Sequence, residues 1–144
     1  MGDISKRFGD VDEVDPIQHL VGTAVGRGGN PLKAAQYLTV FPEKNDGITP
    51  YVLNFSTVPV DGFWSITVYN QEGYLVPNID NIYVINDRTV KPNPDGSFTV
   101  HFGGNPKAVN YMPIMVGWNY TVRLYQPREE ILSGKRVFTA PKIR

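Results

Sequence analysis

Two aspartates are candidates for acid–base catalysis in this sequence. Asp61 and Asp87 each stand where an apolar, strand-like run begins or ends, so both carboxyl groups are predicted at strand ends. Two such groups about 5 to 9.5 Å apart can hydrolyse a glycosidic bond that lies between them. However, Asp61 precedes a glycine, as turn residues often do, and Asp87 beside Arg88 suits an ion pair or a turn cap. The structural interpretation is favoured, and the catalytic one stays open.

Arg123 is the polar side chain with the clearest binding potential. It lies within an alternating run, on the face opposite Trp118 and Tyr120 and between Thr121 and Tyr125. If this face lines a cleft, the fixed donors of the guanidinium suit a carboxylate or sugar hydroxyls. If the face is open to solvent, the same residue is expected to form a cross-strand ion pair. Arg123 is therefore the candidate anchor for a ligand or substrate.

Aromatic and amide side chains outside the core motivate a binding hypothesis. Aromatic rings stack on apolar faces of ligands, and amides donate and accept hydrogen bonds from ligand hydroxyls. The ligand-binding candidates of this kind are Tyr74, Tyr83, Tyr125, Asn78 and Asn86. The alternative is that the rings cover a second apolar layer or pack on an N-terminal helix.

The side-chain inventory disfavours metal and nucleophile chemistry. The chain has no cysteine and two histidines, His19 on a predicted helix and His101 on the outward face of a predicted strand. This spacing provides no usual set of three metal ligands. A Gly-x-Ser-x-Gly elbow and a phosphate loop are both absent. The glycine-rich stretch at 26–29 follows a helix, whereas a dinucleotide fingerprint follows a strand. We expect no metal and no cofactor.

Charge and composition narrow the expected partners. The 144 residues carry 14 basic and 14 acidic side chains, and the basic ones are scattered, which argues against nucleic acid. No apolar run approaches the ~20 residues of a membrane-spanning helix. Residues 1–14 lack the apolar core of a signal peptide. As given, the chain is expected to be soluble and cytoplasmic, with neither nucleic acid nor membrane as a partner; a longer exported parent protein would leave the location open.

Short strands must position these candidate residues. Apolar and polar residues alternate in six runs, at 36–41, 51–55, 63–69, 82–85, 98–102 and 118–125. Turn signals rich in Asn, Asp, Gly and Pro separate these runs. Because successive side chains of a strand point to opposite faces, each run offers one apolar face to a core. The spacing predicts a β-sandwich with Trp64 and Trp118 inside it.

A helix is predicted before the first strand. Asp15 is placed to cap it, and Pro16 suits its first position. Four apolar residues at helical spacing are predicted to pack on the sheet: Ile17, Leu20, Val21 and Ala24. Asn30-Pro31 repeats the start signal for one further turn through residue 35. The prediction is a mainly β, antiparallel, jelly-roll-like β-sandwich with one or two short N-terminal helices, in which 15–144 form one domain after a polar lead-in at 1–14.

Short motifs spread along the chain carry a family resemblance. They read PVDGFWSITVYN at 59–70, NDRT at 86–89, DGS at 95–97, GWNY at 117–120 and RLYQPR at 123–128. Together they resemble the hallmarks of a bacterial family catalogued as domain of unknown function 1214, over residues 15–144. The resemblance implies a jelly-roll-like domain that often forms the C-terminal part of longer proteins, after a companion domain. It implies no activity.

Three functions remain open from the sequence. The leading hypothesis is a non-catalytic β-sandwich module that binds a small polar ligand, a glycan or a companion domain. The alternative is a hydrolase or lyase for a sugar or carboxylate substrate, with Asp61 and Asp87 as acid and base, Arg123 as anchor and Tyr69 as proton donor. The third is a structural domain that assembles into a homo-oligomer. Binding is favoured because neither a nucleophile motif nor a metal-ligand set is present.

Overall fold

The protein is mainly β. The computed structural model describes residues 2–3, 7–9, 12, 14–26, 29–136 and 142–143. In this part of the chain the elements are β1 (Gly2–Asp3), α1 (Pro16–Gly26), β2 (Ala35–Val40), β3 (Tyr51–Phe55), β4 (Trp64–Tyr69), β5 (Val84–Asn86), β6 (Phe98–Phe102), β7 (Tyr111–Met112), β8 (Asn119–Tyr125), α2 (Glu129–Leu132) and β9 (Lys142–Ile143). The mainly β class and all six predicted strands are confirmed.

The strands form two open sheets. The five-stranded sheet has the order β1-β2-β8-β4-β5, and the four-stranded sheet has the order β7-β6-β3-β9. Pairing is antiparallel except between β6 and β7, which run parallel. That exception arises because the loop at 103–110 returns to the level of His101 before β7 begins, so Tyr111 pairs with His101. The jelly-roll part of the prediction concerns connectivity and stays a prediction.

Large aromatic residues fill the space between the sheets. Trp118 is fully buried, and Trp64 is 4% exposed, as the alternation predicts. The Trp118 ring packs 5.2 Å from Phe102 and 5.8 Å from Tyr51, measured between ring centroids. Trp64 lies edge-on to Phe55 at 5.1 Å. Each contact joins the two sheets, and burial of such rings is the dominant favourable contribution to folding.

Helix α1 begins as predicted. The Asp15 carboxylate accepts the backbone N–H groups of Ile17 at 2.9 Å and Gln18 at 3.1 Å, which are the hydrogen bonds of an N-cap. The second start signal gives a single turn, in which the Ala35 N–H donates to the Pro31 carbonyl at 2.9 Å. Both predictions of helix starts are therefore confirmed at the level of local hydrogen bonding.

The prediction that the apolar stripe of α1 packs on the sheet was wrong. Ile17 and Leu20 are 69% and 68% exposed. The buried position of the helix is Gly22, where an added Cβ would lie 2.8 Å from the Arg7 Cβ. Because Gly22 has no side chain, the segment that carries Arg7 and the buried Phe8 approaches the helix there. The helix therefore contacts the segment of Arg7 and Phe8 at Gly22, and its apolar stripe is exposed to solvent.

One turn between β2 and β3 depends on a charged cap. The Asp46 carboxylate accepts the N–H groups of Ile48 at 2.9 Å and Thr49 at 2.7 Å, and the Thr49 hydroxyl at 2.7 Å. Gly47 follows with a φ of 76°, a conformation that glycine adopts without strain. These hydrogen bonds, led by the backbone N–H of Thr49, lower the pKa of Asp46 to about 2.

Leu20→Ser should be nearly neutral, because the Leu20 side chain is exposed. We expect the free energy of unfolding in urea to change by less than about 0.5 kcal/mol. The matched variant Leu124→Ala, at a fully buried leucine, should lose about 2 to 5 kcal/mol. Equal losses in the two variants would contradict the exposed stripe.

Asp46→Asn should lower stability in a pH-dependent way. Ionised Asp46 stabilises the fold above its unfolded pKa of 3.8, and this contribution disappears as pH falls towards the folded pKa of about 2. Urea unfolding from pH 6 downwards should therefore show wild type more stable than the variant at pH 6, with a gap that closes on acidification. Glu72→Gln, at an exposed carboxylate in another turn, serves as the control. A gap independent of pH would refute the charged cap.

Candidate functional site

The face of the five-stranded sheet that points away from the core is polar and aromatic. Cross-strand pairing sets Arg123 between Tyr37 on β2 and Ser65 on β4. Thr121 stands in the next row, and its hydroxyl lies 3.0 Å from that of Thr39. We call this surface the outer face; its members are Tyr37, Thr39, Ser65, Thr67, Tyr69, Thr121, Arg123 and Tyr125.

Arg123 occupies the centre of the outer face and is half-buried. Its Nη1 donates to the Thr67 hydroxyl at 3.1 Å, and its Nη2 donates to the Tyr69 hydroxyl at 2.6 Å. The guanidinium carbon also lies 5.6 Å from the centroid of the Tyr69 ring, within the range of a cation–π contact. The guanidinium is therefore fixed by hydroxyls and an aromatic ring.

The cross-strand ion pair that was left open for Arg123 does not form. Within the part of the chain that the structure describes, no carboxylate lies within 4.0 Å of its guanidinium. A half-buried cation without a counter-charge is unusual, because desolvation disfavours it unless an anion is close. Among the described residues, the acceptors of this guanidinium are the Thr67 and Tyr69 hydroxyls, which leaves Nε for an external acceptor.

Aromatic rings border the guanidinium. Tyr125 lies two residues along β8 and stacks on Phe63, with ring centroids 4.3 Å apart and an interplanar angle of 18°. Tyr125 also meets Tyr37 edge-on at 6.3 Å. Burial is the main cause of the raised pKa of Tyr125, and the positive charge of Arg123 opposes that shift. Because Tyr69 lies in the other direction along the sheet, rings stand on both sides of the cation.

The structure brings Tyr69 and Arg123 together but places the carboxylates elsewhere. The Asp61 carboxylate accepts from Nε of Arg128 at 2.6 Å, in an exposed ion pair at the start of β4. The Asp87 N–H donates to the Trp64 carbonyl at 3.3 Å, so it also stands at the start of β4. Arg123, in contrast, reaches along β4 towards Tyr69 at its far end.

The two asparagine candidates serve local turns. The Asn86 carboxamide oxygen accepts the N–H groups of Arg88 and Thr89, both at 3.0 Å, and so caps the turn after β5. Asn78 bonds Ile82 in both directions, at 2.9 and 3.0 Å. Asn78 precedes β5 and Asn86 ends it, and Ser65 of β4 stands between Asn86 and Arg123 in the sheet.

Tyr74 and Tyr83 lie in the long connection between β4 and β5. Tyr74 is 54% exposed, and its N–H donates to the Asn70 side chain at 2.8 Å. The Tyr83 carbonyl accepts the N–H of Val68 at 3.3 Å, so Tyr83 continues the pairing of β5 with β4. Neither residue belongs to the outer face, and their role as ligand contacts stays a prediction.

The histidines have local contacts. His19 packs edge-on against Phe8 at 5.7 Å, and Nδ1 of His101 lies 2.8 Å from the Val109 carbonyl. Among the described residues, no three His, Cys, Asp or Glu side chains are grouped so that they could hold a metal ion. Within the same residues, no helix has the length and apolar character needed to cross a membrane.

Sequence reasoning named Tyr69 together with Arg123 but missed Thr67. Ser65, Thr67 and Tyr69 alternate with the apolar residues of β4, so the sequence indicated a polar outer side of this strand. The pairing of that side with β8, which lies more than fifty residues later, was not readable from local pattern. Thr39 and Tyr37 escaped notice for the same reason.

The contact between Arg123 and Tyr69 should be measurable as a coupling energy. We expect a double-mutant cycle of Arg123→Gln and Tyr69→Phe, followed by urea unfolding, to give about 1 kcal/mol. The matched cycle of Arg128→Gln and Asp61→Asn reports on a pair that is 54% and 64% exposed, and should give a smaller value. Equal couplings would mean that the guanidinium is not fixed by Tyr69.

Three comparisons place the chain among known proteins. The model of a family described as "Protein of unknown function (DUF1214)" matches residues 35–129, which include every residue of the outer face. The VPA0106 protein from Vibrio parahaemolyticus is 27% identical with a TM-score of 0.79, and the match covers 100% of this chain and 40% of that one. A putative uncharacterized protein from Burkholderia cenocepacia is 17% identical with a TM-score of 0.48, and the match covers 81% and 30% of the two chains. No curated protein matches.

Proposed function

The chain belongs to the DUF1214 family of proteins of unknown function, and we propose that its domain is a non-catalytic module that binds a small polar ligand on the outer face. The ligand class that fits is a sugar acid, or another small molecule that carries a carboxylate beside an apolar ring face. The single observation behind this proposal is the half-buried guanidinium of Arg123, which has hydroxyl partners and no counter-charge among the described residues.

A ligand carboxylate would supply the missing negative charge. Arginine and carboxylate groups form paired, charge-assisted hydrogen bonds that are stronger than neutral ones. Thr67 and Tyr69 already hold the guanidinium in one orientation, so little side-chain freedom would be lost on binding. This arrangement supports recognition of an anion more than recognition of a neutral polar group.

The aromatic rings support the sugar part of the ligand. The stacked pair of Phe63 and Tyr125 stands beside Arg123, and Tyr69 stands on its other side. Phe63 is 45% exposed, so part of its ring is open to a ligand. Carbohydrate rings present C–H faces that pack on such aromatic surfaces, while the carboxylate would reach the cation between them.

A lyase is the second candidate, and one contact favours it. The Tyr69 hydroxyl lies 2.6 Å from Nη2 of Arg123. In β-elimination from a uronate, Arg123 would neutralise the carboxylate and Tyr69 would protonate the departing glycosidic oxygen. The reaction also needs a base for the sugar C5 proton. Asp61 and Asp87 were the predicted acid and base, but both stand at the start of β4, so binding without catalysis remains the leading proposal.

The remaining parts of the sequence hypothesis stay predictions. They are the jelly-roll-like connectivity, a companion domain and a second copy of the chain as partners. The chain spans 40% of the length of the Vibrio protein that it matches, which leaves room for a companion domain in such longer relatives.

Thermal unfolding in the presence of D-glucuronate should test the binding proposal. A ligand present at about 100 times its Kd contributes about 2.7 kcal/mol to stability, which corresponds to a Tm increase of roughly 5 to 10 °C for a domain of this size. D-glucose at the same concentration should give a much smaller shift because it lacks the carboxylate.

Two variants make the test specific. Arg123→Gln should abolish the difference between glucuronate and glucose, whereas Arg128→Gln, at an exposed arginine beside Asp61, should preserve it. If no uronate or simple carboxylate raises the Tm of wild type, or if Arg123→Gln responds like wild type, the proposal fails. A rise in ultraviolet absorbance when the protein acts on a polyuronate, lost in Tyr69→Phe, would instead support the lyase.

A further inference from the structure

A concave surface lies at the open seam between the two sheets. It is a cleft of about 350 Å³, formed between β5, at one end of the five-stranded sheet, and the loop that leads into β7, at one end of the four-stranded sheet. Its volume is at the lower end of the range for small-molecule sites. Val84, one of its lining residues, is the β5 partner of Thr67, but neither Thr67 nor Arg123 lines the cleft itself.

The walls of this seam cleft are largely apolar. Val84 and Ile85 of β5 and Ile82 just before it line one side, and Val109 lines it from the opposite loop. Ile85 is buried, but Val84 and Val109 remain 43% and 55% exposed. Apolar side chains that face each other across a cleft favour an apolar ligand, because binding would remove their surface from water.

The cleft is held in shape by one asparagine. The Asn110 side chain accepts the N–H of Lys91 at 2.8 Å and donates to the Lys91 carbonyl at 2.8 Å and to the Thr99 carbonyl at 2.9 Å. The bond between His101 and the Val109 carbonyl holds the same loop from β6. Because both walls are tied together, the cleft exists before any ligand arrives.

Two exposed lysines belong to the lining. Lys91 and Lys107 both line the cleft, and within the described residues neither has a carboxylate within 4.0 Å. Asp80 is the acidic group that acts on the lining, since its charge contributes, after burial, to the raised pKa of Tyr111. Asp80 does not line the cleft itself. The lining thus combines apolar walls with two lysines that have no carboxylate partner among the described residues.

We propose that the seam cleft binds a small monocarboxylate with an apolar chain, whose chain lies between Val84 and Val109 and whose carboxylate meets Lys91 and Lys107. Apolar walls account for the chain, and the lysines account for the charge. A neutral alcohol of equal length would keep the apolar contacts and lose the charge pairing. A short carboxylate such as acetate would keep the charge and lose the apolar contacts.

Titration of ¹⁵N-labelled protein with hexanoate, hexanol and acetate tests this assignment through backbone amide shifts. Hexanoate should perturb residues 82–85 and 107–111 in a saturable way and bind more tightly than either hexanol or acetate. The double variant Lys91→Gln/Lys107→Gln should weaken hexanoate about threefold to thirtyfold, as expected for two exposed charge pairs, and leave hexanol unchanged. Lys33→Gln/Lys44→Gln, at exposed lysines elsewhere, is the matched control.

Further outcomes decide the matter. Val109→Asp, at a half-exposed position that tolerates a polar side chain, should abolish binding of hexanoate and hexanol while the amide spectrum stays folded. Arg123→Gln should leave hexanoate binding in the cleft unchanged. Absence of saturable shifts, shifts confined to the outer face, equal binding of hexanol and hexanoate, or no effect of the double lysine variant would each overturn the assignment. None of these results depends on whether a sugar acid binds at Arg123.

Discussion

The fold and the outer face both depend on the register of one central strand. β8 pairs with β2 on one side and with β4 on the other, so each residue from Tyr120 to Leu124 has a partner on both of these strands. Trp118, just before it, and Val122 and Leu124 within it are fully or almost fully buried, and Arg123 projects from the opposite face. A slip of one residue would turn Arg123 into the core. Aromatic packing between the sheets therefore fixes the position of the charge outside them.

The same strand explains how Arg123 is accommodated with no carboxylate partner among the described residues. Thr67 and Tyr69 accept hydrogen bonds from its guanidinium, and aromatic rings stand on either side of it along the sheet. Hydroxyl oxygens and ring faces compensate a cation only in part, because neither carries a full negative charge. The cation is held in position but its charge is only partly compensated. An external carboxylate would therefore gain more binding free energy here than beside a cation that is already paired. The carboxylates at Asp61 and Asp87, at the start of β4, leave this deficit in place.

Local features of the fold were readable from sequence, and long-range ones were not. The alternation from Trp118 to Tyr125 predicted which side chains of β8 face the core. Asp15 before a proline predicted the start of α1. Both signals lie within a few residues of sequence. The exposure of Ile17 and Leu20 was not readable, since it follows from the packing of Phe8 and Gly22. Two-residue strands such as β7 are too short to alternate. Likewise, the seam cleft joins residues 82–91 to 106–111 across two sheets, and no local pattern reports such a juxtaposition.

The outermost strands of both sheets are very short. In the described chain, β1, β7 and β9 each contain two residues and β5 contains three. A fibril grows when an incoming chain finds a long, straight row of unpaired backbone groups to copy. Within the described residues such a template would offer two or three backbone pairs. These strands, as described, are therefore poor templates for amyloid, even though the interior is rich in the β-branched and aromatic residues from which amyloid is built.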